Sequence, residues 1–176
     1  AAVRGGTYAM GVMLSAGGAL RWYRDVIAKR PYDVISAEAE ASPRGAGGVI
    51  FLPYLMGERT PHNDASARGA FVGLSASTAD RDLSRAVLEG ITFGLADSLD
   101  LMRGVDVGMV PHELRVTGGG ARSAMWRQLL ADVFHGVYAH DLSPRRHLVT
   151  GALSALKASG LRIDQVVRDG WSAARA

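Results

Sequence analysis

Apolar and polar positions recur along the chain at periods that change from one stretch to the next. The longest regular stretch runs from Asp80 to about Arg103, where Leu83, Val87, Leu88, Ile91, Leu95, Leu99 and Met102 return at three- and four-residue intervals. That spacing gathers them on one arc of an amphipathic helix and leaves Asp82, Arg85, Glu89, Asp100 and Arg103 on the opposite arc. Asp80 and Asp82 fall in the first turn, where free N–H groups favour negative charge. Glu89, between Leu88 and Gly90, reads first as a solvated carboxylate, with a buried polar anchor as the alternative. Residues 11–28 mix Val12, Met13, Leu14, Leu20, Trp22, Val26 and Ile27 with Arg21, Arg24 and Asp25, which predicts a helix kinked or interrupted near Gly17 and Gly18.

Shorter apolar runs predict strands. Val49 to Leu52 follows a Gly- and Pro-containing loop over residues 40–48 and stops at Pro53, and Gly69 to Leu74 reads as a second strand, with Ser75 to Thr78 supplying turn and capping chemistry. Glu113 to Thr117 predicts a third strand that runs into Gly118-Gly119-Gly120-Ala121. Ser123 then caps a helix whose buried stripe is Met125, Trp126, Leu129, Leu130, Val133 and Phe134. Gly136 to Ala139 predicts a further strand and Val149 to Ala158 a last helix. Strands alternating with helices argue an α/β class, and 176 residues suit one domain.

Composition narrows the chemistry. The chain has no Cys, which excludes disulfides, thiolate zinc sites and a cysteine nucleophile and is compatible with a reducing cytoplasm. Twenty Lys and Arg against 17 Asp and Glu leave a net charge of +3, which does not call for a nucleic-acid partner. No stretch approaches the roughly 18 apolar residues of a membrane span, and the first residues lack a signal-peptide core, so no membrane partner is expected. The chain reads as a soluble piece of something larger.

Candidate chemistry concentrates in two segments. Three successive glycines between a strand and a helix remove every Cβ from the turn, so a planar or phosphate group can approach the main chain near an electropositive helix start. A tight turn needing positive φ explains the same glycines equally well. The Rossmann fingerprint fails because Ser123 stands where its last Gly belongs, and a P-loop fails because Arg122 follows Ala121. The second segment, Pro53 to Arg68, carries Glu58, Arg59, His62, Asp64 and Arg68 on irregular backbone at the end of a buried strand. A solvated surface loop is its simpler reading and a ligand-facing loop the other. The histidines have no metal-site spacing, so each reads as structural or solvated, and no G-x-S-x-G elbow is present.

Several blocks in one order then resemble a known family. Phe51-Leu52-Pro53-Tyr54-Leu55-Met56-Gly57-Glu58-Arg59-Thr60-Pro61-His62, Ala67-Arg68-Gly69-Ala70-Phe71-Val72-Gly73-Leu74, Arg85-Ala86-Val87-Leu88-Glu89-Gly90, and Gly118 to Ser123 with Trp126-Arg127-Gln128 are similar to the C-terminal half of the xylulokinases, a branch of the FGGY family of carbohydrate kinases. The likeness holds in register from about Tyr8 to His135. It implies a ribonuclease H-like domain of the actin-like ATPase superfamily, a mixed sheet flanked by helices, with residues 1–176 as the C-terminal nucleotide-binding domain and the N-terminal sugar-binding domain outside this sequence.

The resemblance further implies ATP and Mg²⁺ as cofactors and D-xylulose as substrate, giving D-xylulose 5-phosphate. Gly118, Gly119, Gly120 and Ala121 would lie along the adenosine and α-phosphate, Ser123 would border the base, and Gln128 is a weaker candidate. Glu58, Arg59, Thr60 and His62 are candidates for the cleft face. The catalytic Asp and the pentulose-binding residues belong to the other half, so no catalytic residue is expected here and the isolated chain should be inactive. Alternatives are a kinase for ribulose, gluconate or glycerol, or a non-catalytic nucleotide-binding module. A former domain interface left exposed could drive homodimerisation. Arg145 to Ala152 departs from the family pattern, keeping only Gly151-Ala152.

Overall fold

The structure, a computed structural model, describes residues 10–105 and 116–138. Its elements follow in the order α1 (Ala16–Trp22), a single-turn π-helix (Tyr23–Ala28), α2 (Tyr32–Ala41), β1 (Ile50–Leu52), β2 (Ala70–Val72), α3 (Asp80–Val105) and α4 (Ala124–Tyr138), with 3₁₀ turns at Ala46–Gly48 and Gly119–Arg122.

Helix α3 is the axis on which the others pack. Its stripe buries Val87, Leu88, Ile91 and Leu99, and Ala19, Tyr23, Ile35, Phe51 and Trp126 join the same core. α3 crosses β1 at backbone contact: a Cβ at Gly90 would stand 2.2 Å from the Phe51 carbonyl oxygen, so only glycine fits there. On the strand, Phe51 is buried and packs its ring on Phe71 of β2 at 4.7 Å and on Trp22 of α1 at 6.4 Å. β1 and β2 pair antiparallel with Phe51 opposite Phe71. Their ends are set by Pro53, which has no N–H to donate, and by Gly73 at φ +87°. No helix among the described residues is long and apolar enough to cross a membrane.

Several expectations change. Gly17 and Gly18 do not kink a helix; α1 starts at Ala16, and the irregularity falls later, in the π turn that ends at Lys29 in the left-handed region with its N–H on the Arg24 carbonyl at 2.7 Å. Residues 40 and 41 close a helix that the apolar pattern does not announce, because α2 buries only Ile35 and Ala39 and leaves Tyr32 and Val34 exposed. Gly136 to Tyr138 continue α4 and are not a strand. Val116 and Thr117 pair with no strand among the described residues, and Glu113 to Arg115, the 145–152 departure and the 149–158 helix lie outside those residues. Among the described residues the sheet consists of two antiparallel strands, β1 and β2.

The polar arc of α3 is the largest correction. Asp82, Arg85 and Glu89 are all buried, because the loop at 42–48 covers them. Arg85 donates to Glu89 Oε1 at 2.6 Å and to the carbonyls of Ala39 and Ser42 at 3.1 Å each, while Glu89 Oε1 also accepts the Gly45 N–H at 3.1 Å. Asp82 accepts the Ser42 hydroxyl at 2.7 Å and the N–H of Ala79, the residue before the helix, at 2.9 Å. Glu89 is therefore the buried polar anchor and not the solvated carboxylate. Its partner Gly45 comes from a loop more than forty residues upstream.

Candidate functional site

The loop after β1 is held from beneath. Pro53 and Tyr54 are buried, and Glu58 is only 2% exposed, which removes the reading of this segment as a merely solvated loop. Glu58 turns its carboxylate inward, where Oε1 accepts the N–H groups of Leu14 at 3.0 Å and of Arg59 at 2.8 Å. Its backbone N–H and C=O both bond Asp64 at 2.8 Å, closing the loop on itself. Thr60 docks on the segment before α1 by a reciprocal pair, its N–H to the Val12 carbonyl at 3.0 Å and its hydroxyl oxygen accepting from Val12 at 3.2 Å. Ser98 of α3 donates to the Thr60 carbonyl at 3.3 Å. The peptide Thr60–Pro61 is cis.

Beside this, His62 Nε2 and the Tyr54 hydroxyl share a hydrogen bond of 2.8 Å with their rings edge to face at 4.9 Å. Burial pushes the Tyr54 phenol well above its ordinary pKa, and the charges of Asp97 and Glu58 push it the same way. The phenol is thus a neutral partner for His62 throughout the physiological range. Arg59 and His62 are both exposed on the outer side of the loop.

The glycine turn is built differently. Gly118 takes φ +88°, a conformation only glycine adopts freely, and the turn closes through Ala121 N–H to the Gly118 carbonyl and Ser123 N–H to the Gly120 carbonyl, each 3.2 Å. Gly120 lies on the Trp126 ring, where a Cβ would come within 2.4 Å. Trp126 is buried and donates its indole N–H to Thr92 of α3 at 2.9 Å, which pins the whole turn to the core. Gly119 has neither constraint: its φ is not positive and nothing among the described residues lies within 4 Å of a Cβ built there. Backbone conformation explains the glycine at 118 and packing the one at 120, and neither explains the one at 119.

Ser123 caps α4 as its sequence position predicts, its hydroxyl oxygen accepting the Trp126 N–H at 3.1 Å, and it also bonds the Ser36 hydroxyl of α2 at 2.6 Å. Gln128 is exposed and donates to Asp132 at 2.8 Å, and Asp132 meets Arg44 at 3.6 Å. Sequence reading passed over Trp126, Thr92 and Ser36 as the groups that fix the turn. Only Trp126 left a signal, as part of the apolar stripe of α4.

The structure keeps the two candidate sets apart. The loop rests on Ser98 and the turn on Thr92, which are about 9 Å apart along α3 and about 120° apart around it. No group of three or more His, Asp or Glu side chains among the described residues is placed to hold a metal ion. The turn presents backbone without Cβ atoms at 118–120, an Arg122 at its end, and the start of a helix capped by Ser123.

Comparison with known proteins gives this geometry its setting. Xylulose kinase of Staphylococcus xylosus is 43% identical over 129 residues, 73% of this chain and 26% of that protein. The crystal structure of ligand-bound xylulose kinase from Lactobacillus acidophilus superposes with a TM-score of 0.62 at 38% identity, covering 68% of this chain and 24% of that one. Glycerol kinase of Plasmodium falciparum, solved with ADP, also superposes at 0.62, with 26% identity over 68% of this chain and 23% of its own. The chain spans about a quarter of the length of the curated relatives it matches. Residues 1–138 match the C-terminal domain of the FGGY family of carbohydrate kinases, and the chain belongs to that family.

Proposed function

We propose that this chain is the nucleotide-binding domain of a kinase that transfers the γ-phosphoryl group of ATP to D-xylulose, and that the sugar site and the catalytic base lie in polypeptide outside it. The observation that carries the nucleotide part is Gly119, a glycine that the fold does not require, in a turn open to solvent between two glycines that it does. Backbone stripped of Cβ atoms there leaves room for a flat or anionic ligand to lie on the main chain. Gly118 to Ala121 would hold the nucleotide, the first turn of α4 would face it, and Gln128 would stand at the margin. ATP, as its Mg²⁺ complex, supplies the transferable phosphoryl group. The ribonuclease H-like, actin-like ATPase fold is supported by the likeness to solved xylulose and glycerol kinases.

Arg59 and His62 face the cleft formed with the other half, on a loop that the buried Glu58 and the Val12-bound Thr60 hold from beneath. Phosphoryl transfer rests on in-line positioning and charge stabilisation, so one half alone has no turnover. The sugar assignment follows the xylulose kinase relatives, and the glycerol kinase likeness favours a polyol kinase as the second reading.

Titrating the ¹⁵N-labelled chain with Mg²⁺-ADP tests the nucleotide site. Amide shifts concentrated at 118–123 and at the Trp126 indole N–H are expected. Shifts scattered over the surface, or none, overturn it.

A further inference from the structure

The sequence pair Glu58-Arg59 suggests a local ion pair, and the structure does not make one. Glu58 is buried and spends Oε1 on two backbone N–H groups, so its charge is directed into the protein and away from the neighbouring guanidinium. Several other arginines do find acceptors: Arg24 meets Asp25, Arg30 meets Glu38 and Asp80, Arg44 meets Asp132, and Arg127 meets the Ala121 carbonyl. The Arg59 guanidinium meets no hydrogen-bond or ion-pair partner among the described residues. Arg122 shares that freedom at the glycine turn.

What separates Arg59 is its base. Its N–H is held by Glu58 at 2.8 Å and its carbonyl by the Asn63 N–H at 2.8 Å, and the next residue, Thr60, is locked to Val12. The chain has already lost its backbone freedom at this point, so a ligand need only order the side-chain torsions. A planar guanidinium fork on a fixed root matches the two oxygens of a carboxylate or phosphate.

We propose that Arg59 is an oxyanion-binding residue and that Glu58 is its positioning residue, acting through the Arg59 N–H and not through charge pairing. The oxyanion is a phosphate of the reacting ligands or a carboxylate of the polypeptide outside this chain. The inference rests on the reading of the 58–62 loop as facing a cleft, and it is independent of the nucleotide turn.

The test follows the arginine Nε–Hε resonances of the ¹⁵N-labelled chain while inorganic phosphate, or separately acetate, is added. Arg59 is expected to saturate at a concentration about fivefold below that of Arg44, whose side chain is exposed but paired. Tighter phosphate binding assigns the phosphate source and tighter acetate binding the carboxylate source. Arg59→Lys keeps the charge and loses the fork, so the response of its ammonium group should fall to the level of Arg44. Glu58→Gln keeps an acceptor for the Arg59 N–H and should retain the selectivity, while Glu58→Ala should lose it with the Arg44 titration unmoved. An Arg59 that tracks Arg44, or an Arg59→Lys substitution without effect, overturns the proposal. Should Glu58→Ala not fold, Glu58→Gln and Arg59→Lys decide alone. A chain that responds at Arg59 and ignores ADP overturns the nucleotide reading and leaves this one standing, and the converse holds.

Discussion

The 53–68 loop and the 118–123 turn are both irregular backbone at the edge of the same helix, yet they are built by opposite means. The loop gains its shape from polar groups added beneath it: a buried carboxylate, a reciprocal Thr60–Val12 pair and a Glu58–Asp64 backbone closure. The turn gains its shape from atoms removed: a positive φ at Gly118, a ring against Gly120, and nothing among the described residues over Gly119. A surface that must present one side chain in a fixed place needs many restraints on its backbone. A surface that must admit the face of a ligand needs few attachments, here Trp126 on Thr92 and Ser123 on Ser36, and space left open above it among the described residues.

The sharpest way to break this contrast is to remove the buried carboxylate. Glu58→Ala strands the N–H groups of Leu14 and Arg59 without their acceptor, and charged acceptors of this kind contribute more than neutral ones. Unfolding by urea should show a loss of about 3 kcal/mol. If the loss is below about 0.5 kcal/mol, the loop is not held in the way described. Gly57→Ala comes next. Its φ is +78° and a Cβ would meet the Ala65 carbonyl oxygen at 2.6 Å, so a backbone clash adds to a conformational penalty. A destabilisation of about 2 kcal/mol is expected by the same measurement.

Gly119→Ala is the counterpart in the turn. With open space and no positive φ, the added methyl should shift unfolding by less than about 0.5 kcal/mol. Calorimetry with Mg²⁺-ADP should nevertheless show binding about tenfold weaker, near 1.4 kcal/mol. A substitution that costs stability and spares ADP binding would reverse the assignment of this glycine from ligand to fold.

What could be read from the sequence divides along the range of the interactions involved. The period of α3, the apolar run of β1 and the Ser123 cap are local signals, and each element formed where its own residues placed it. α2 was hidden because Ile35 and Ala39 make too thin a stripe to stand out beside the exposed Tyr32 and Val34. The π turn at 23–28 has no composition of its own. Most of the site's construction was illegible for a single reason: the state of a carboxylate depends on what covers it. Glu58 waits for Leu14, Glu89 for Gly45 and Asp82 for Ser42, partners 40 or more residues away in every case. Helix periodicity places Asp82 and Glu89 on a polar arc, where solvation is the default, and Glu58 falls in a loop that reads the same way. The three glycines were legible as a turn, but only the space around each separates the one left over for a ligand from the two the fold needs.

The smallest expected effect comes from Asp82, which belongs to neither segment and so serves as a reference for both. Its carboxyl is held below the usual carboxylate value of 3.8, first by the Ser42 hydroxyl and then by the Ala79 N–H. The folded state therefore binds its proton less readily than the unfolded chain does. Stability from this group is fully present above the unfolded value and is lost as pH falls through the lower folded one. Comparing urea midpoints of the parent chain and Asp82→Asn should show a gap that is constant above about pH 5 and shrinks below about pH 4. If the gap instead persists unchanged into strong acid, the hydroxyl and amide do not favour the ionised form, and the 42–48 loop is held by Arg85 and Glu89 alone. If it shrinks as expected while the amides of 118–123 keep their positions, then the turn depends on its bonds to Thr92 and Ser36 and is independent of the polar staple that fixes the start of α3.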